Sequence, residues 1–159
     1  TSIYMTKKEF LNLFSFTIQK YNFIKKNNNF YLDCDNDIVC VVGLYKSNFD
    51  EYYYIEFGFA IKSINPKMPY PKFSELNINC GRFLLDGKEE IQYENLDQKN
   101  FVEQLNKELL MFVTSGKSGI NGIRNNYIDK CSYIIGQTTL KYLGVDKSNL
   151  IVYPETLWK

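Results

Sequence analysis

Apolar residues recur along this chain with two different periods, and the switch between them divides it into elements. From Thr6 to Tyr21 the period is helical: Phe10, Phe14, Ile18 and Tyr21 fall on one stripe, with Leu13 beside them. Thr6 followed three residues later by Glu9 is a capping-box arrangement, which predicts the helix start. After Asn22 the period drops to two. Phe23-Ile24-Lys25-Lys26 and Phe30-Tyr31-Leu32 flank Asn27-Asn28-Asn29, which predicts two short strands about a polar turn, or one irregular strand with a bulge. Ile38 to Tyr45 is apolar on both of its sides, as a central strand covered on both faces would be.

The clearest alternation runs from Glu51 to Ile61. Tyr53, Ile55, Phe57, Phe59 and Ile61 form one side and predict a core face. Tyr52, Tyr54, Glu56, Gly58, Ala60 and Lys62 form the other, a mixed face suited to solvent or to the floor of a groove. Pro66, Pro69 and Pro71 make 65–71 an ordered loop or crossing segment. Leu76 to Leu85 reads as a strand with Ile78, Cys80, Arg82 and Leu84 on one side. Asp86-Gly87 predicts a hairpin turn into a short return strand at Glu90 to Tyr93.

Helical period returns at Phe101, Leu105, Leu109 and Phe112, with Asp97 or Asn95 as cap. The three glycines between Ser115 and Gly122 predict a break. A last helix is expected from about Asn126 to Leu143, stopped by Gly144, with Ile128, Cys131, Ile135 and Leu143 among its buried residues. Leu150 to Tyr153 fits a short edge strand. The chain shows neither repeats nor a composition break, so 1–159 reads as one α+β domain. Met5-Thr-Lys-Lys-Glu has the form of a natural start, which sets residues 1–4 apart. The expected architecture is an antiparallel sheet of four to six strands with the helices packed mainly on one face.

Composition then narrows the chemistry. The 159 residues are 45% hydrophobic, with 19 Lys+Arg against 18 Asp+Glu. A net charge of +1 makes no electrostatic case for nucleic acid or an anionic membrane. No stretch is long and apolar enough to span a bilayer, and no leader pattern opens the chain. The absence of histidine removes His-based acid/base catalysis, Ser–His and Cys–His pairs, and most zinc sites. Cys34, Cys40, Cys80 and Cys131 match no metal or haem spacing and read as reduced thiols of a cytoplasmic protein, Cys40, Cys80 and Cys131 among apolar or β-rich neighbours as small hydrophobes.

Two short motifs fail on inspection. Gly116-Lys117-Ser118 resembles the end of a phosphate loop, but Met111 stands where the first glycine belongs, and a helix rather than a strand precedes it. Asp33, Asp35 and Asp37 resemble the start of a calcium loop, yet Ile38 and Leu44 occupy its glycine and glutamate positions. No cofactor, metal site or catalytic residue is expected. Among the charges, only Arg82 and Arg124 are arginines. Arg82 lies mid-strand, as does Glu56, so the two are expected on one side of the sheet, within reach of each other or of one groove. Tyr52 and Tyr54 flank that position, and Tyr70 and Tyr93 fall in loops or on less apolar sides. Exposed tyrosines suit protein interfaces.

The helix leading to Lys20-Tyr21-Asn22-Phe23-Ile24-Lys25-Lys26, then Phe30-Tyr31-Leu32, a strand closing on Leu44-Tyr45-Lys46-Ser47, and Tyr52 to Gly58 together resemble a bacterial family, domain of unknown function 4304. The resemblance covers about residues 6–85, with Asn22 where the family has Gly. It implies a small cytoplasmic α+β protein of bacteria and brings no catalytic residues. Domains of this size and type also occur among immunity proteins of bacterial toxin systems, an analogy of fold and context. The expected function is non-catalytic binding of another protein, a toxin or a regulatory partner, through Glu56, Arg82, Tyr52 and Tyr54. The alternative is a small enzyme or small-ligand binder with its site near Glu56 and Arg82.

Overall fold

The computed structural model describes residues 4–145 and 150–158; residues 1–3 of the segment set apart at the N-terminus lie outside them. The chain folds as α1 (Lys7–Gln19), β1 (Ile24–Lys26), β2 (Asn29–Asp33), β3 (Ile38–Lys46), β4 (Tyr53–Ile61), β5 (Ile78–Arg82), α2 (Gln98–Lys117), α3 (Ile120–Tyr127), β6 (Tyr133–Ile135), α4 (Gln137–Leu143) and β7 (Val152–Tyr153). The seven strands lie in one sheet in chain order. Every neighbouring pair is antiparallel except β6 and β7, which are parallel because α4 intervenes. The architecture is α+β as expected, with one strand more than the upper bound of six.

Local chemistry explains the boundaries. The Thr6 hydroxyl accepts from the Glu9 amide while the Glu9 carboxylate accepts from the Thr6 amide, closing the capping box of α1. Asp97, not Asn95, caps α2 by accepting from the Asn100 amide. Asp86 and Gly87 both take positive φ, as a primed hairpin turn demands. Tyr53, Ile55, Phe57, Phe59 and Ile61 are all buried, against Phe10, Phe14 and Ile18 of α1 and Phe101, Leu105, Leu109 and Phe112 of α2. The opposite face of the sheet buries a smaller group, Tyr31, Val39, Val41 and Ala60, beneath Phe73 and Leu76 of the 65–76 segment. Thus β3 is covered on both faces. Asn77 pins this segment: its side-chain oxygen accepts from the Ile61 amide and from Asn65, and its amide donates to Thr139.

Four expectations are corrected. The expected last helix is interrupted: α3 ends at Tyr127, and Tyr133-Ile134-Ile135 pairs with β5 as a strand before Gly136 turns the chain into α4. Aromatic and β-branched side chains fit the pleated surface better than a helix there. The break between α2 and α3 lies at Ser118-Gly119 alone, where Gly119 has φ +73°; Gly116 and Gly122 are inside helices. No return strand forms at Glu90 to Tyr93. Ile91 only exchanges two backbone hydrogen bonds with Tyr53, and a 3-10 turn follows at Tyr93–Asn95.

The fourth correction decides the site. Phe57 stands opposite Gly81 but Gly58 stands opposite Asn79, so Cys80 is an extra residue in β5 and the strand carries a bulge. Gly81 supplies the left-handed backbone at φ +86°, and its amide donates to the Asn79 side chain. The bulge reverses the alternation. Ile78 and Cys80 point into the core, Arg82 turns to the opposite face, Phe83 is buried, and Leu84 is exposed.

Candidate functional site

Because of that reversal, Arg82 is the direct cross-strand partner of Glu56. The two expected site residues share one face, the side of the sheet away from the helices. They line an open cleft of about 630 Å³ whose floor is β3, β4 and β5, with Phe73 and Ser74 on one side and Ser132 and Tyr133 at the other. Glu89, reaching over from the Asp86-Gly87 hairpin, closes one end.

Arg82 is already engaged. Its guanidinium lies 3.8 Å from the centre of the Tyr54 ring and 3.4 Å from a Glu89 carboxylate oxygen. Glu56 is not. Although half-buried, its carboxylate makes no hydrogen bond or ion pair with the described residues. Burial raises its carboxyl above the ordinary range, and the nearby Arg82 charge offsets part of that.

The wall beside Glu56 is Tyr45. Its ring packs over Gly43, the cross-strand neighbour of Glu56, where a methyl group would stand 2.8 Å from the ring. The Tyr45 hydroxyl donates to the Asn29 side chain. Burial, then the Glu56 charge, pushes the Tyr45 phenol up to about 12. Phe73 meets Tyr45 edge-on at 6.2 Å, and Tyr54 stacks on it at 6.0 Å. Across the cleft, Tyr133 accepts from the Asn79 amide at 3.3 Å and is braced edge-on by Tyr153 at 5.0 Å.

Of the sequence-predicted residues, Glu56 and Arg82 line the cleft and Tyr54 underlies Arg82. Tyr52 precedes β4, tied by its carbonyl to the Ser47 amide, and takes no part. Tyr45, Asn79, Ser132 and Tyr133 were missed. Gly81 inside a strand pattern is a bulge signal that could have turned Asn79 and Arg82 outward. Tyr133-Ile134-Ile135 closing on Gly136 could have been read as a strand.

Elsewhere, Cys34 and Cys40 sulfurs lie 3.6 Å apart in the core, and all four cysteines are free thiols. The Gly116-Lys117-Ser118 motif sits at the end of α2, with the Gly116 carbonyl accepting from Asn36. Among the described residues there is no group of three or more potential metal ligands, and no helix is long and apolar enough to cross a membrane.

No curated protein and no solved structure matches the chain. The family described as Domain of unknown function (DUF4304) matches residues 14–110, from within α1 through β1–β5 and into α2. That span takes in the floor of the cleft and stops before β6. The chain belongs to the DUF4304 family.

Proposed function

We propose that this chain is a non-catalytic binding protein and that the cleft over Glu56 and Arg82 receives part of another protein. One observation carries the reading: Glu56 holds a half-buried carboxylate that makes no hydrogen bond or ion pair among the described residues, with only the nearby Arg82 charge to offset its burial. Leaving a charged acceptor partly desolvated lowers stability, and such groups concentrate where a ligand will satisfy them. The openness of the cleft supports a protein partner, since small-molecule sites enclose most of their ligand. Tyr45, Tyr54 and Tyr133 supply rigid contact area of the kind interfaces use. In its most specific form the partner is a toxin or a regulatory protein, and the chain an immunity-like protein of a bacterial cytoplasm.

A second reading, a small-ligand binder or small enzyme at the same residues, is favoured by the raised carboxyl of Glu56, which suits an acid catalyst. The chain itself, immobilised in an extract of its own cells, separates the two. A retained protein that is lost with Arg82→Lys and with Glu56→Gln, neither variant melting below the wild type, supports the first reading. Retention that neither substitution weakens refutes this cleft as the contact. Arg82→Lys keeps the charge but removes the planar fork, so it tests the geometry of the contact as well as its charge.

A further inference from the structure

The charges and rings around the cleft also specify what should enter it. Two carboxylates, Glu56 and Glu89, face one guanidinium, Arg82. That guanidinium is held on both sides, by Glu89 at 3.4 Å and by the Tyr54 ring at 3.8 Å. An incoming anion would therefore have to displace an existing partner of Arg82 while approaching Glu56. An incoming cation meets, in Glu56, a carboxylate with no hydrogen bond or ion pair to give up among the described residues. The flanking side chains include Tyr45, Phe73 and Tyr133, aromatic rings of the kind that favour a cationic neighbour over an anionic one.

Building on the cleft reading above, we infer that the occupant is a cationic side chain of the partner, arginine being the best match, seated on Glu56 between the Tyr45 and Tyr133 sides. A guanidinium can pair with a carboxylate through two parallel hydrogen bonds while its flat face lies on an aromatic ring. A carboxylate and aromatic side chains line this one cleft. Lysine would offer the charge without the fork, and would bind in the same place more weakly.

The test needs no knowledge of the partner. The whole chain is titrated with N-acetyl-arginine amide, with the citrulline analogue, which keeps the shape but not the charge, and with the glutamate analogue. NMR resonances of Glu56, Tyr45 and Tyr133 report occupancy. The expected result is a saturable shift with the arginine compound, at least tenfold weaker with citrulline, and lost in Glu56→Gln. The citrulline comparison stands even if that variant fails to fold. Equal binding of arginine and citrulline compounds overturns the inference. So does a shift produced by the glutamate compound instead and abolished in Arg82→Gln; in that case the cleft remains a binding site with the opposite preference. If none of the three moves these resonances past millimolar concentration, the cationic occupant is refuted, while the retention experiment separately decides whether the cleft is a contact at all.

Discussion

Replacing Gly116 by alanine sets two effects of known size against each other. In a helix interior the change is worth about 1 kcal/mol of stabilisation through backbone entropy alone. At this position, however, the new methyl would stand 2.5 Å from the Cys40 sulfur and 2.9 Å from the Cys34 sulfur. Both sulfurs are buried, Cys40 completely, and they already touch at 3.6 Å, so neither can swing aside into solvent. Favourable separation is about 3.5–4.0 Å, so roughly 1 Å of overlap must be relieved by moving α2 off β3. Overpacking of that kind costs about 1–3 kcal/mol, which outweighs the helix term in most of its range. Urea denaturation should show a lower midpoint for Gly116→Ala, equivalent to up to about 2 kcal/mol, with an unchanged slope. Cys40→Ala removes the main obstacle. By itself it should cost about 1 kcal/mol through a small cavity, yet in its background Gly116→Ala should become neutral or stabilising. The coupling between the two sites is expected to be about 1 kcal/mol or more. A Gly116→Ala chain that is more stable than wild type, or one equally destabilised with and without Cys40, would refute the seating of α2 on this pair of thiols.

Phe57 touches Phe83, Phe112 and Tyr127 with ring centres 4.3, 5.2 and 5.5 Å away, so Phe57→Ala should cost about 3–5 kcal/mol in the same assay. An unchanged midpoint would contradict the placement of β4. The Tyr127 hydroxyl is buried with no hydrogen bond among the described residues, beside a Ser115 hydroxyl that donates to the Met111 carbonyl and accepts from Asn126. Tyr127→Phe should then leave the melting temperature unchanged or raise it, and a clear fall would reveal a partner for the hydroxyl. Glu56 binds its proton more tightly in the folded chain than in the unfolded one, so its contribution to stability grows as pH falls from neutral toward the ordinary glutamate value of 4.5. The advantage of Glu56→Gln over wild type should accordingly shrink on acidification; a difference that stays constant with pH would show that the carboxyl is not desolvated.

The parts of this fold that were legible in the sequence are those where one face of an element is buried over many residues. Phe10, Phe14 and Ile18 mark α1, and the run from Tyr53 to Ile61 marks β4, because each must present an uninterrupted apolar row to the core. The short strand at Tyr133–Ile135 was misread because three residues hold too little periodicity, and its pairing with β5 is decided by contacts distant in sequence. The same holds for Ile91, which pairs with Tyr53 for a single bridge. Glu56 and Arg82 were recognisable as charges at mid-strand positions. Their direct opposition was not derivable from alternation, which put Arg82 beside Cys80; it depends on the bulge at Gly81. The tyrosine walls were hidden for a different reason, since Tyr45 and Tyr133 enter the cleft from strands that only the sheet brings near β4 and β5.

A sheet whose strands follow one another in chain order has a consequence for how its binding surface can vary. In this sheet β1 to β5 pair one after another, and β6 joins at the β5 edge only after α2 and α3 have intervened. The DUF4304 match ends inside α2, whereas Ser132 and Tyr133 arrive with β6. Glu56 and Arg82 thus sit on the stretch that the family match covers, and the bank opposite them comes from residues beyond it. Substitutions at Ser132 and Tyr133 would change which shapes fit beside Glu56 while leaving its charge and its cross-strand pairing with Arg82 as they are.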